Sequence, residues 1–211
     1  MQHPIFAPES SWTIPAVFPT FEETETIAID LETYDPHLMT CGPGWATNRG
    51  YIVGIGIATK DWKGYFPIRH EGGGNLDEDV TLRWLRNTLS SSKRKVIFHN
   101  ALYDVGWLRR EGVDVKGQIL DTIVAAPLIN ENRYSYSLDN LGSHYCDEKK
   151  DESLLQDAAL AFGINPKSQM YKLPSKYVGP YGEQDAALTL KLWDKLKIEI
   201  AEQNLDKILD M

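Results

Sequence analysis

The chain has 211 residues, 42% hydrophobic and 25% charged, enough for one globular unit with a sizeable core. Thirty acidic residues against 22 basic ones leave a net charge of −8; this excludes affinity won by blanketing duplex phosphates with Lys and Arg, but not carboxylates that bind cations. Cys41 and Cys146 are too few for a disulfide scaffold, no signal peptide is evident, and no apolar stretch nears the roughly 20 residues that span a bilayer, so a soluble cytoplasmic protein is expected.

Residues 1–24 mix Pro4, Pro8, Pro15 and Pro19 with Phe6, Trp12, Phe18 and Phe21. Repeated proline excludes a regular helix, while the aromatics can pin an extended arm to a surface. The domain proper is expected over residues 25–211. Its first element is the β-branched run Thr26 to Glu32, suited to a central strand. Thr33 to Gly50 follows, a loop without periodicity and longer than the usual connection, a type that tends to be functional or mobile. Tyr51 to Ala58 and Gly64 to Ile68 predict two more strands, joined through Asp61 to Lys63 in an antiparallel meander.

Leu76 to Leu89 has helical spacing in Val80, Leu82, Leu85 and Leu89. Val96 to Phe98 predicts a strand and Asn100 to Arg110 a helix stopped by Gly112. Ile119-Leu120 leads into a helix from Thr122 to Ile129 with Asp121 as N-cap. Further helices are expected from Ser137 to Tyr145, capped by Ser137, from Asp151 to Phe162, and from about Tyr181, after Gly179-Pro180, to beyond Ile200. A meander followed by alternating helices and strands indicates an α/β sandwich with a mixed sheet.

Three places carry acids in informative positions. Asp30 and Glu32 alternate with Leu31 on a strand, so both carboxylates share one face and repel each other unless a cation lies between. Asn100 and Asp104, four apart, share one face of a helix that starts where a strand ends. Tyr181 and Asp185 repeat that spacing. Each taken alone is a weak signal: the first also fits a polar strand end and the second a helix cap with an exposed Asp.

In this order, strand Asp-x-Glu, Asn-x-x-x-Asp after a strand and helical Tyr-x-x-x-Asp resemble the signature of the DEDD superfamily of 3′-to-5′ exonucleases. The tyrosine subclass (DEDDy) is the nearer match, since the histidine subclass would place His where Pro180 stands. The resemblance runs from about Thr26 to Leu192. Asp121-Thr122 and Tyr136-Ser137-Leu138-Asp139-Asn140-Leu141-Gly142 are similar to the proofreading domains of family A DNA polymerases, especially those of phages. The resemblance implies an RNase H-like fold, an antiparallel meander followed by parallel strands and flanked by helices. It implies hydrolysis of single-stranded DNA from its 3′ end to nucleoside 5′-monophosphates, with two divalent cations, Mg²⁺ or Mn²⁺.

Carried over residue by residue, the resemblance implies that Asp30 bridges both ions. Glu32 and Asp185 complete the shell of the ion that activates water, and Asp104 holds the second ion beside the leaving oxygen. Tyr181 orients the attacking water and Asn100 contacts the substrate strand. Such chemistry suits hard cations and oxygen ligands, and two ions offset the four negative charges. A polymerase domain, in the same chain or associated, is the implied partner, and host cytoplasm the implied location if the chain is phage-encoded. Asn204 to Met211 resembles the point where family members continue into the polymerase. An RNase D-like exoribonuclease and a non-catalytic binding module are the alternatives.

Lesser features also have two readings. Lys167, Lys172 and Lys176 interleave with Tyr171 and Tyr177, a composition that can stack a single strand or form a solvated loop. Trp45 and Arg49 can touch a terminal base or pin their own loop. Gly72 to Gly74 can approach a phosphate or form a turn; His99 carries no assigned role, and His144 reads as structural.

Overall fold

The run beginning at Thr26 forms strand β1, Thr26–Tyr34, the middle of a five-stranded sheet in a computed structural model that describes residues 7–209. Short helices α1 (Leu38–Cys41) and α2 (Gly44–Thr47) follow, then β2 (Tyr51–Ala58), β3 (Lys63–Pro67), α3 (Glu78–Thr88), β4 (Lys95–Phe98), α4 (Ala101–Arg110) and β5 (Gln118–Asp121). Beyond these lie α5 (Thr122–Ile129), α6 (Leu138–Tyr145), α7 (Ser153–Phe162), a 3₁₀ turn at Met170–Lys172, α8 (Ser175–Glu202) and α9 (Asp206–Leu209). The sheet order is β3-β2-β1-β4-β5, antiparallel at β1–β2 and β2–β3 and parallel at β1–β4 and β4–β5.

Alternation along β1 decides which layer each side chain enters. Ile27, Ile29 and Leu31 pack with Leu82 and Leu85 of α3 and Val105 and Trp107 of α4. Ala28 lies on the other face, with Leu188, Leu192 and Leu196 of α8 and Leu141 of α6. Asp30 and Glu32 share the parity of Ala28 and therefore point into the α8 layer.

Several elements differ from the sequence expectations. The long helix starts at Ser175, six residues before Tyr181, and carries Pro180 in its interior. Residues 118–121 make a fifth strand, too short to be distinguished from a helix lead-in by pattern. The segment after β1 is anchored: Asp35 Oδ2 accepts from Gly44 N (2.9 Å) and from the Tyr103 hydroxyl (3.1 Å), and Trp45 lies against Gly106, where a Cβ would come within 2.3 Å of its ring.

Residues 7–25 contain no helix or strand. Phe18 stacks on Phe66, and Arg94 donates to the carbonyls of Phe21, Glu25 and Thr88, tying the arm to the body. Pro4 and Phe6 of the expected arm, and Asp210 and Met211 at the other end, lie outside the described residues.

Candidate active site

Two glycines on β2 make room for the site. Asp30 faces Gly56 and Glu32 faces Gly54 across the β1–β2 ladder. A Cβ on Gly56 would lie 2.3 Å from the Gly182 carbonyl oxygen, and one on Gly182 would meet the Tyr65 ring at 2.6 Å. The backbone of α8 thus rests directly on β2, a close approach that strand glycines permit. Tyr181 and Asp185 flank Gly182 on this helix.

The result is convergence. Carboxylate oxygens of Asp30, Glu32 and Asp185 all lie within 4.8 Å of one another. Asp104 joins from the first turn of α4, where its Oδ1 accepts the Leu31 N–H at 3.1 Å, between the two acids of β1. Glu32, Asp104 and Asp185 are 7%, 5% and 4% exposed.

The start of α4 is set by a shared cap. Asp121, at the end of β5, accepts from Asn100 N (2.9 Å), Ala101 N (2.8 Å) and Ile123 N (3.0 Å), so one carboxylate holds the first turns of both α4 and α5. Asn100 itself is left-handed, with φ 78°, and exposed. Its side chain makes no cap hydrogen bond.

The electrostatics are those of crowded acids. Loss of hydration and then the Asp185 charge push the Asp30 carboxyl up from 3.8 to about 7, against the pull of Lys150. Burial followed by the Asp30 charge also holds Glu32 and Asp104 well above the carboxylate range. Burial raises Asp185 as well, although Lys150 opposes it. Burial and then the Glu32 charge push the Tyr181 phenol far above its ordinary value.

Lys150 is the cation in this pocket that no sequence motif marks. Its Nζ lies 2.8 Å from Asp185 Oδ2, 3.7 Å from Asp139 Oδ1 and 5.1 Å from the centre of the Tyr181 ring, and its side chain is 9% exposed. The requirement for a counter-charge is implied by four acids; its origin in the α6–α7 connection is not. The second oxygen of Asp185, Oδ1, is buried without a hydrogen-bond partner among the described residues.

Other expected contacts resolve on the plainer side. Tyr171 and Tyr177 are 8% and 2% exposed, so neither offers a stacking face, and Lys172 and Lys176 lie over those rings while Lys167 pairs with Glu152. Trp45 pins its loop to Gly106, and Arg49 reaches Cys41 Sγ at 3.5 Å. The glycine run seats the start of α8, where Ser175 donates to the carbonyls of Gly73 and Gly74. His99 donates from Nδ1 to Thr122 Oγ1, which itself donates to Phe98 O. His144 stands edge-on to Tyr145. An open cleft of about 600 Å³, lined in part by Tyr34, Asp35, Met39, Tyr103 and Lys167, adjoins the end of β1 beyond Glu32.

Comparison with known proteins shows the family and the fold. Residues 14–201 match the family described as 3′-5′ exonuclease. A DNA-directed DNA polymerase of Pseudomonas phage M6 is 39% identical over 212 residues, covering 97% of this chain and 32% of the polymerase. Among solved structures, Brucella melitensis NrnC with bound Mg²⁺ has a TM-score of 0.59 at 17% identity, covering 88% of this chain and 78% of that one. Escherichia coli RNase D, an exoribonuclease involved in structured RNA processing, has a TM-score of 0.57 at 15% identity, covering 88% and 42%. These likenesses are of fold, an RNase H-like exonuclease architecture. The chain spans about a third of the length of the phage polymerases it matches.

Proposed function

The chain belongs to the 3′-5′ exonuclease family of DNA polymerases, and from that premise we propose that it removes nucleotides from the 3′ end of single-stranded DNA as nucleoside 5′-monophosphates. The observation that carries this reading is the meeting of Asp30, Glu32 and Asp185 within 4.8 Å, with Asp104 fixed to the backbone between the first two.

The donor set fits two hard divalent cations, Mg²⁺ or Mn²⁺. All ligand atoms are carboxylate oxygens, their mutual repulsion is relieved by positive charge, and one buried oxygen of Asp185 lacks any partner among the described residues. When bound, such ions activate water and stabilise the expelled 3′ oxygen. Asp30 would help to hold both ions, Glu32 and Asp185 would hold the one that activates water, and Asp104 the one that stabilises the leaving oxygen.

Tyr181 orients the attacking water through its hydroxyl. A phenol ordinarily titrates at about 10, so it positions rather than deprotonates. Lys150 keeps Asp185 turned into the pocket. Asn100, at the exposed start of α4, is assigned to the substrate strand, and the cleft beside Glu32 to its path.

A polymerase domain, in the same polypeptide or associated with it, is the proposed partner that delivers the DNA end, in host cytoplasm if the chain is phage-encoded. Among the described residues no helix is long and apolar enough to cross a membrane. The arm and domain limits, 1–24 and 25–211, are proposed on the same footing.

The test is incubation of 5′-labelled DNA and RNA of one sequence with Mg²⁺ or Mn²⁺, beside Asp30→Ala and EDTA controls. A 3′-shortening ladder on DNA, absent from both controls, is expected. Preference for RNA would instead favour the RNase D-like reading, and equal degradation by Asp30→Ala would refute the site.

A further inference from the structure

Gly179-Pro180 reads locally as a helix breaker, yet α8 runs through it. Pro180 has no N–H, so the carbonyl four residues earlier, on Lys176, loses its helical donor. That carbonyl accepts a hydrogen bond from elsewhere: Ser10 Oγ donates to Lys176 O at 2.8 Å.

The neighbouring residues complete a socket for the arm. A Cβ on Gly179 would lie 2.3 Å from Trp12 Cε2, so only glycine lets the indole sit there. Trp12 Nε1 donates to Glu183 Oε1 at 2.7 Å, and the Tyr177 hydroxyl donates to Pro8 O at 3.1 Å. Trp12 also stands edge-on to Tyr65, the ring beside Gly182. These contacts bracket Tyr181, with Lys176, Tyr177 and Gly179 before it and Glu183 after it. Tyr181 packs in the same apolar cluster as Trp12, Tyr65 and Tyr177.

We infer that Ser10 and Trp12 are positioning residues for Tyr181, an inference that rests on the proposed role of the Tyr181 hydroxyl. A helix missing one hydrogen bond just before Tyr181 has slack in that turn. The arm removes the slack by satisfying the freed carbonyl on one side and gripping Glu183 on the other. Displacement of an orienting group by about 1 Å is enough to slow a reaction severely.

The experiment uses the whole chain and labelled single-stranded DNA. It compares Ser10→Ala and Trp12→Phe, each alone and with Tyr181→Phe, and Ser10→Ala with and without Pro180→Ala. Each arm variant is expected to lower kcat about five- to tenfold with KM unchanged, and to cause no further loss in the Tyr181→Phe background. Pro180→Ala, which restores an N–H to the Lys176 carbonyl, is expected to rescue Ser10→Ala.

Equal fold-losses with and without the Tyr181 hydroxyl, or an unchanged kcat in the arm variants, would overturn the inference. If Trp12→Phe does not fold, Ser10→Ala and its Pro180 rescue decide the matter. Failure of the unsubstituted protein to hydrolyse DNA with metal refutes the nuclease reading and this inference together, a result distinct from loss of coupling in an active enzyme.

Discussion

Asp30→Asn should stabilise the metal-free protein at pH 8 while abolishing its activity. The substitution keeps shape and removes a charge from among Glu32, Asp104 and Asp185. The Asp30 carboxyl binds its proton more tightly in the fold than in the unfolded chain, with its pKa raised from 3.8 to about 7. Its adverse contribution is therefore absent below about pH 4 and grows as the pH rises to the folded value. That rise sets a ceiling of about 4 kcal/mol. Water reaching the half-buried carboxylate and relaxation of Lys150 reduce the gain to about 1–2 kcal/mol, or roughly 2–8 °C in Tm for a chain of this size.

Calorimetry in EDTA at pH 5 and pH 8 reads the difference. The variant should melt higher at pH 8, and the gap should narrow at pH 5, where Asp30 is already protonated in the fold, closing only below about pH 4. His70 and His99, each lowered by burial to about 4, lose stabilisation as pH falls from 6.5 toward 4. They do so in both proteins, so the difference reports on Asp30 and the acids that feel its charge. Added Mn²⁺ should reverse the order, since it binds the folded unsubstituted site. A variant no more stable than the parent at pH 8 in EDTA would refute the charge-crowding argument.

Lys150→Met should cost about 3 kcal/mol in EDTA, because it strands the buried Asp185 charge; urea melts should show the deficit shrinking when Mn²⁺ supplies the charge instead. Gly56→Ala places a Cβ 2.3 Å from the Gly182 carbonyl oxygen, which only movement of α8 can relieve. A loss of about 1–3 kcal/mol in denaturant melts, with a drop in exonuclease rate, is expected; an unchanged rate would mean that this close approach does not set the site. His70 donates from Nδ1 to Leu173 O and accepts the Tyr65 hydroxyl at Nε2. His70→Phe should cost about 2–4 kcal/mol at pH 7 by leaving both groups unpaired, with melts down to pH 5 showing a smaller acid loss than in the parent.

What the sequence makes legible here is local chemistry with a fixed period. Strand alternation in β1 puts Asp30 and Glu32 on one face, and the caps at Asp121 and Ser137 stand where short polar side chains can accept backbone N–H groups. What it conceals depends on distant partners. Pro180 reads as a boundary because its missing N–H is normally fatal to a helix; the Ser10 hydroxyl, far away in sequence, takes over the orphaned carbonyl. The glycines opposite the acids, Gly54 and Gly56, gain meaning only once β2 is paired with β1. Lys150 follows no spacing rule, because a flexible side chain reaches the acids from a loop. Tyr171 and Tyr177 look like a stacking platform until tertiary packing buries them.

The most direct test of the central claim is anomalous diffraction from crystals soaked with Mn²⁺ and a short single-stranded oligonucleotide. Two metal peaks about 3.5–4 Å apart, with Asp30 between them, Glu32 and Asp185 on one and Asp104 beside the other, are predicted. Manganese peaks elsewhere on the protein, or a pocket with bound DNA in which Lys150 still pairs with Asp185 and no manganese is present, would contradict it.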